Sequence, residues 1–227
     1  MQEESCTSIS IFGKINSVDQ LLLQHARYNN TLFRRYLPIY DFSEVLLHTI
    51  RTSVATNLPA KYGKVLDVAC GTGTQLVALA KKGYQVTGID LSPDMLSKAK
   101  GKLQRYPNAS LLCGDATHMP FQDNAFDISL ITFSLHDMPE EIAIGVLMEM
   151  KRVTKKGGDI VVVDYVTNSQ QTIPFLTHKV ARMWESKYYP YFTKKGLRHF
   201  VVKANVVPIY SKIYFHGIAE QLICKNI

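Results

Sequence analysis

Three aspartates stand where a nucleotide-like ligand could be gripped. Asp67, Asp90 and Asp115 each lie at, or just past, the end of a short β-rich apolar run. The first run reads Val65-Leu-Asp-Val-Ala-Cys-Gly-Thr-Gly73 and passes at once into an amphipathic stretch, Thr74 to Lys82. That order is strand, tight loop, helix. Gly71 and Gly73 permit positive φ and put no Cβ between the main chain and a ligand at the helix N-terminus. A fixed carboxylate at Asp67 repels pyrophosphate and suits a cation, such as the ammonium of an amino acid. The second run, Gln85 to Ile89, ends in Asp90, where an acid can accept from both hydroxyls of a ribose. Leu91 and Met95 offer an apolar surface to an adenine ring, though Met95 suits core packing equally well. Ser92 is a good N-cap, Pro93 fits the first helical position and Asp94 matches the positive helix end. The third run, Ala109 to Cys113, leads into Gly114-Asp-Ala116, where Asp115 can accept from an exocyclic amine.

Spacing separates the rival ligands. A dinucleotide loop needs a third small residue so that helix and strand can close up, and here that position is Leu76. A P-loop needs Gly-Lys-Ser/Thr after its glycines, and the chain has none.

The aspartates converge only if their strands run parallel. Strand and helix patterns do alternate from residue 64 to about 165, which implies a mainly parallel sheet with helices on both faces. A fourth strand spans Phe126 to Phe133 after the Asp123-Asn124 turn. Pro139-Glu-Glu141 opens a helix running to about Thr154. Asp159 to Tyr165 is a Val-rich strand buried on both faces. Helices are expected over Pro174 to Tyr188 and Lys194 to Val202. A hairpin of Asn205 to Phe215 and Ile218 to Lys225 then adds an antiparallel strand. Before the sheet, Val18 to Arg35 has helical periodicity and Pro38 breaks it. Phe42 to Asn57 forms a second helix, and Pro59 to Gly63 is a linker. Residues 1–57 are therefore expected as a helical segment or lid, and 58–227 as the domain proper.

With 227 residues, of which 46% are hydrophobic, the chain can bury one full core. A formal charge of +7 favours anionic partners in principle. Lys81-Lys82-Gly83 and Lys155-Lys156-Gly157, however, read as helix C-termini whose lysines answer the dipole. No basic run is interleaved with aromatics, so nucleic acid is not the expected partner. Cys6, Cys70, Cys113 and Cys224 show no metal-ligand spacing and read as buried thiols in a reducing compartment. No metal site is expected. The first residues lack a signal-peptide core and no run is long enough to span a bilayer, so a cytoplasmic protein is expected. Contact with a membrane surface and the oligomeric state stay open.

Asp67-Val-Ala-Cys-Gly-Thr-Gly73, Asp90, Gly114-Asp-Ala116 and Phe126-Asp127 together resemble the class I S-adenosylmethionine-dependent methyltransferases. Gly114-Asp-Ala-Thr-His-Met-Pro-Phe-Gln-Asp-Asn-Ala-Phe-Asp127 and Arg152-Val-Thr-Lys-Lys-Gly-Gly158 are most similar to the quinone-biosynthesis C-methyltransferase branch. The resemblance implies a Rossmann-like α/β fold, seven strands in the order 3-2-1-4-5-7-6, and S-adenosylmethionine as cofactor. It implies contacts from Asp67, Ala69, Gly71, Gly73, Asp90, Leu91, Met95, Asp115, Ala116 and Phe133. Ala69 replaces the family's first loop glycine, a mild change so long as φ stays negative.

The same resemblance implies methyl transfer to an acceptor beside the fourth strand's end. His136 is the candidate base there, oriented by Asp137, unless its ring simply packs locally. Tyr165 is the other candidate catalytic residue, or else a strand-end aromatic closing the core. Tyr28, His136, Tyr165 and Tyr188 are the candidate acceptor contacts. Tyr36 and Tyr40 accompany Tyr28 in the helical segment, as lid or as core stripe. His178, Trp184, Tyr189 and Tyr191 would extend an aromatic cap suited to a flat or apolar acceptor. Phe133-Ser-Leu-His136 lacks the Asp/Asn-Pro-Pro-Tyr/Phe of adenine and amide N-methyltransferases. A small-molecule or lipid-like acceptor, such as a quinol, is the leading expectation. An RNA or protein methyltransferase and a non-enzymatic cofactor-binding protein are the alternatives.

Overall fold

Valine- and isoleucine-rich runs suit strands covered on both faces, and here they form one seven-stranded sheet. The computed structural model describes residues 17–58, 63–166, 186–214, 217 and 219–227. The strands are β1 (Lys64–Val68), β2 (Gln85–Asp90), β3 (Ala109–Cys113), β4 (Phe126–Thr132), β5 (Thr154–Tyr165), β6 (Val207–Tyr214) and β7 (Ala219–Lys225). Their order is β3-β2-β1-β4-β5-β7-β6. The first five are parallel neighbours, and β7 runs antiparallel to both β5 and β6. In register, Asp67 sits abreast of Gly88 and Leu130, and Asp90 abreast of Cys113. Parallel pairing therefore brings the acids to one carboxyl edge.

Side chains alternate along each strand, so the sheet feeds two cores. Leu66, Val68, Ile131, Ile160 and Val162 pack with the helices α4 (Glu140–Val153), α5 (Tyr189–Lys195) and α6 (Leu197–Lys203). Val65, Val86, Leu130, Val161 and Val163 pack with α2 (Thr74–Lys81), the end of α3 (Pro93–Leu103) and the C-terminal part of α1 (Ser17–Asn57).

Several expectations change. Pro38 does not end a helix: α1 runs unbroken through it for 41 residues. A proline removes one main-chain bond, and strong helical sequence on either side can carry the helix past it. Lys155 to Gly157 are not a helix C-terminus. They lie in β5, where the register shifts between Phe126 and Ile128, and Gly157 takes φ +74°. The Lys155 ammonium is 2.6 Å from Asp127 instead of answering a dipole. The helix expected over 194–202 is two helices, parted at Gly196 with φ +92°. Cys70 and Cys224 are free and buried, whereas Cys113 is disulfide-bonded to a partner outside the described residues. That corrects the reading of Cys113 as a thiol; a pairing across distant sequence leaves no spacing signal. The helix expected over 174–188 falls mostly outside the described residues, as do His178 and Trp184.

Candidate functional site

The loop after β1 takes its shape from three left-handed residues at alternate positions. Ala69, Gly71 and Gly73 have φ of +52°, +54° and +77°. Ala69 thus departs from the negative φ expected of it, and a Cβ is carried in a region that L-residues avoid. Gly73 begins α2, where a Cβ would fall 2.9 Å from that of Ala99 on α3. Its smallness lets two helices meet. From behind, the Lys102 ammonium donates to the Thr72 and Thr74 hydroxyls at 2.8 and 2.9 Å.

Asp90 ties this loop to the next. One carboxylate oxygen accepts from the Gly71 N–H at 2.7 Å and the other from the Ser92 N–H at 2.9 Å. Burial raises its carboxyl pKa, and the N–H groups of Ser92, Gly71 and Leu91 oppose that rise. Each oxygen keeps a further lone pair for an incoming hydroxyl. Ser92 caps α3 as its type suggests, accepting from Met95 N–H at 3.4 Å. Asp115 is turned on its own loop: the Thr117 N–H and hydroxyl donate to it at 2.8 to 2.9 Å.

Between these loops lies a crevice with about 820 Å³ of empty space, part of it open to solvent. Ala69, Gly71, Asp90, Leu91, Met95, Asp115, Ala116 and Phe133 all line it. Asp67 and Gly73 do not; Asp67 is 1% exposed, on the Val65 side of β1. Phe133 enters with φ +52° and its N–H bonded to the Val163 carbonyl at 2.8 Å.

The remaining candidates form a buried polar and aromatic group beside the crevice. The His136 ring is 4.8 Å from that of Tyr165, which lies 5.5 Å from Phe133 and 5.4 Å from Tyr189. His136 Nδ1 is 2.7 Å from Asp164, and Nε2 is 3.4 Å from Asp137. Asp164 also accepts from the Leu135 and His136 N–H groups at 3.0 and 3.3 Å. Of the Asp164-His136-Asp137 chain, only Asp137 lines the crevice. Tyr28 and Tyr188 meet edge to face at 5.9 Å, away from the crevice lining. The Tyr28 hydroxyl accepts from Lys187 N–H at 2.9 Å. The side chains of Tyr36 and Tyr40 lie outside what is described. Tyr191 is surface-bound, its hydroxyl donating to Glu140.

Sequence reasoning missed Asp164, although an acid inside Val161-Val-Val-Asp-Tyr165 is itself a signal. It also missed Leu22, His25 and Asn29, which put one face of α1 on the crevice. Their 3- and 4-residue spacing was readable as a helix face, but not the neighbour that face would meet. Among the described residues, no cluster of His, Cys, Asp or Glu is placed to hold a metal ion.

Residues 65–158 match the family model described as a methyltransferase domain. That match covers less than half of the chain. Over 114 residues the chain is 43% identical to a demethylmenaquinone methyltransferase of Staphylococcus aureus (strain MRSA252), a match covering 49% of this chain and 45% of that relative. The chain thus spans less than half the length of the curated relative it matches. Among solved structures, the PH0226 protein of Pyrococcus horikoshii OT3 superposes with a TM-score of 0.64 at 22% identity, covering 81% of this chain and 90% of that one. A SAM-dependent methyltransferase of Aquifex aeolicus gives 0.58 at 19% identity, covering 78% and 89%. A possible histamine N-methyltransferase of Thermotoga maritima gives 0.63 at 18%, covering 87% and 99%. These likenesses establish a Rossmann-like α/β fold. In this fold the crevice lies at the carboxyl edge of β1, β2, β3 and β4, beside the point where strand order reverses.

Proposed function

We propose that this protein transfers a methyl group from S-adenosylmethionine to a small-molecule or lipid-like acceptor, a quinol or related aromatic first. One observation carries the reading. The loops after β1 to β4 converge on a single crevice with Asp90 in its wall. The donor set fits a nucleoside cofactor. Asp90 can accept from ribose hydroxyls, Gly71 presents main chain without a side chain, and Leu91, Met95 and Ala116 make an apolar slot for a flat ring. The wall also holds two buried polar atoms without a protein partner, His25 Nδ1 and Asn29 Oδ1.

S-adenosylmethionine brings its own leaving group and activated methyl, so the protein's task is placement. Fixing two reactants in line can lower a barrier by about 7–11 kcal/mol. Asp67 acts from beneath the loop, as a buried charge of the sign that favours a cation above it. His136 is a positioning residue in this reading: its ring is 3% exposed and sits between Asp164 and Asp137. Asp137, at the wall, is the group placed to take a proton from an acceptor. Tyr165 holds the His136 ring rather than meeting the acceptor.

The acceptor class rests on the quinone relative and on the apolar part of the crevice lining, where Leu22, Phe133, Met138, Ile142 and Val146 stand. The N-terminal part of α1 serves as cover through Leu22, His25 and Asn29. No helix among the described residues is long and apolar enough to cross a membrane. We place the protein in the cytoplasm on its two free buried thiols, against which the Cys113 disulfide is the one contrary sign.

The test is transfer of labelled methyl from the cofactor into a cell extract, with mass spectrometry of the products. A labelled small aromatic or lipid is expected. Asp90→Ala should abolish binding of S-adenosylhomocysteine while leaving cooperative melting intact. Label found only in RNA or protein, or undiminished affinity in the variant, would overturn the reading.

A further inference from the structure

Helix α1 brings a neutral donor and a neutral acceptor to the crevice and leaves both unanswered. His25 is 4% exposed, and its Nε2 is 3.1 Å from the Asn29 side-chain nitrogen. The amide donates there, so Nε2 accepts and the neutral ring carries its proton on Nδ1. That Nδ1–H is buried without a partner, and so is the Asn29 Oδ1. Both residues line the crevice, one helical turn apart. Burial, reinforced by the Lys187 ammonium and opposed by Asp115, lowers the His25 pKa to about 4, which keeps the ring neutral at ordinary pH.

Buried polar groups are nearly always satisfied, and the exceptions call for an explanation. A donor and an acceptor left open side by side match a ligand that offers the converse pair. An amino-acid end does so with carboxylate and ammonium, and an adenine edge does so with a ring nitrogen and an amine. Both belong to the proposed cofactor. Asp115, the residue expected to read the amine, is engaged by Thr117, and Asp67 lies below the crevice wall.

We infer that His25 and Asn29 bind the cofactor directly, His25 Nδ1–H donating and Asn29 Oδ1 accepting, so that α1 is part of the binding site as well as its cover. This rests on the methyltransferase reading above.

The double variant His25→Phe/Asn29→Leu tests it on the full chain. It removes both open groups together with their mutual bond, so it leaves nothing newly unpaired. The ligand-free protein should melt at the same temperature or higher. Affinity for S-adenosylhomocysteine, titrated calorimetrically, should fall by about tenfold or more. Methylthioadenosine, which lacks the amino-acid end, tells the two ends apart. An equal loss for both ligands assigns the adenine edge, and a loss for S-adenosylhomocysteine alone assigns the amino-acid end. Affinity within about twofold of wild type overturns the inference. So does a fall in ligand-free melting temperature that accompanies the lost affinity, since the pair would then be holding the helix in place. A wild-type protein that binds neither ligand overturns the methyltransferase reading as well.

Discussion

Ala69 and Phe133 both stand in the crevice wall at φ +52°, a conformation that disfavours a side chain by about 1–2 kcal/mol. Strain of this kind persists where surrounding structure over-determines the backbone, and it gathers at ligand sites. For Ala69 the cause is local: the loop must turn between β1, ending at Val68, and α2, starting at Thr74. Glycine would adopt the same angles without penalty, at some cost in unfolded-chain entropy. Ala69→Gly should therefore stabilise the protein by about 0.5–1 kcal/mol, read as a higher midpoint in urea unfolding. A lower midpoint would mean that the backbone at this position is relaxed. The sequence announced the turn but not its sign, because alanine is compatible with either hand until the neighbouring strand and helix are in place.

The β1-loop-α2 unit also answers the misfit at Leu76. Where a dinucleotide fold closes helix on strand with a small helical residue, here the small residue is on the strand. A Cβ at Gly88 would fall 2.5 Å from Leu76 Cδ1 and 2.8 Å from Cys70 Sγ. Gly88→Ala should cost about 1–3 kcal/mol through overpacking. Adding Leu76→Ala should recover part of that loss in the double variant, although it is itself a core truncation. Urea midpoints of the three variants decide: strictly additive changes would mean the two sites do not touch. Elements like this one were legible because strand, turn and helix signals are local. The clamp on His136 was not, since Asp164 lies 28 residues away and only the pairing of β4 with β5 brings it near. Asp137, the adjacent acid, was the natural sequence guess for the orienting group, yet the tight contact went to the distant one.

Over the whole molecule, α1 belongs to both halves of the design. Its C-terminal part places Ile50, Val54 and Ala55 in the core behind α2, while Leu22 and His25 close the crevice. A boundary at residue 57 was readable from the linker after it, but that boundary cuts through a packed core. Burying His25 should give the fold an acid sensitivity. In the unfolded chain the ring takes a proton near pH 6.5, and in the folded protein only near 4. Above about pH 6.5 neither state is protonated here and the full contribution is present. As pH falls from there toward 4 the unfolded chain gains a proton that the folded protein refuses, so stability declines. The total is on the order of 3 kcal/mol, and below about pH 4 this residue's slope vanishes. Glu140 acts in a lower window. Its carboxyl is held down to about 2 by hydrogen bonds from Lys203, Tyr191 and His199, so its contribution is lost only as pH falls below the ordinary carboxylate range. Comparing urea unfolding of wild type and His25→Phe at pH 7, 5.5 and 4.5 isolates the histidine, because every other titrating group is common to both chains. The wild type should lose ground on the variant step by step across that range. Parallel stability curves would mean the ring charges as freely in the fold as in water, and α1 would then stand open over the crevice instead of closing it.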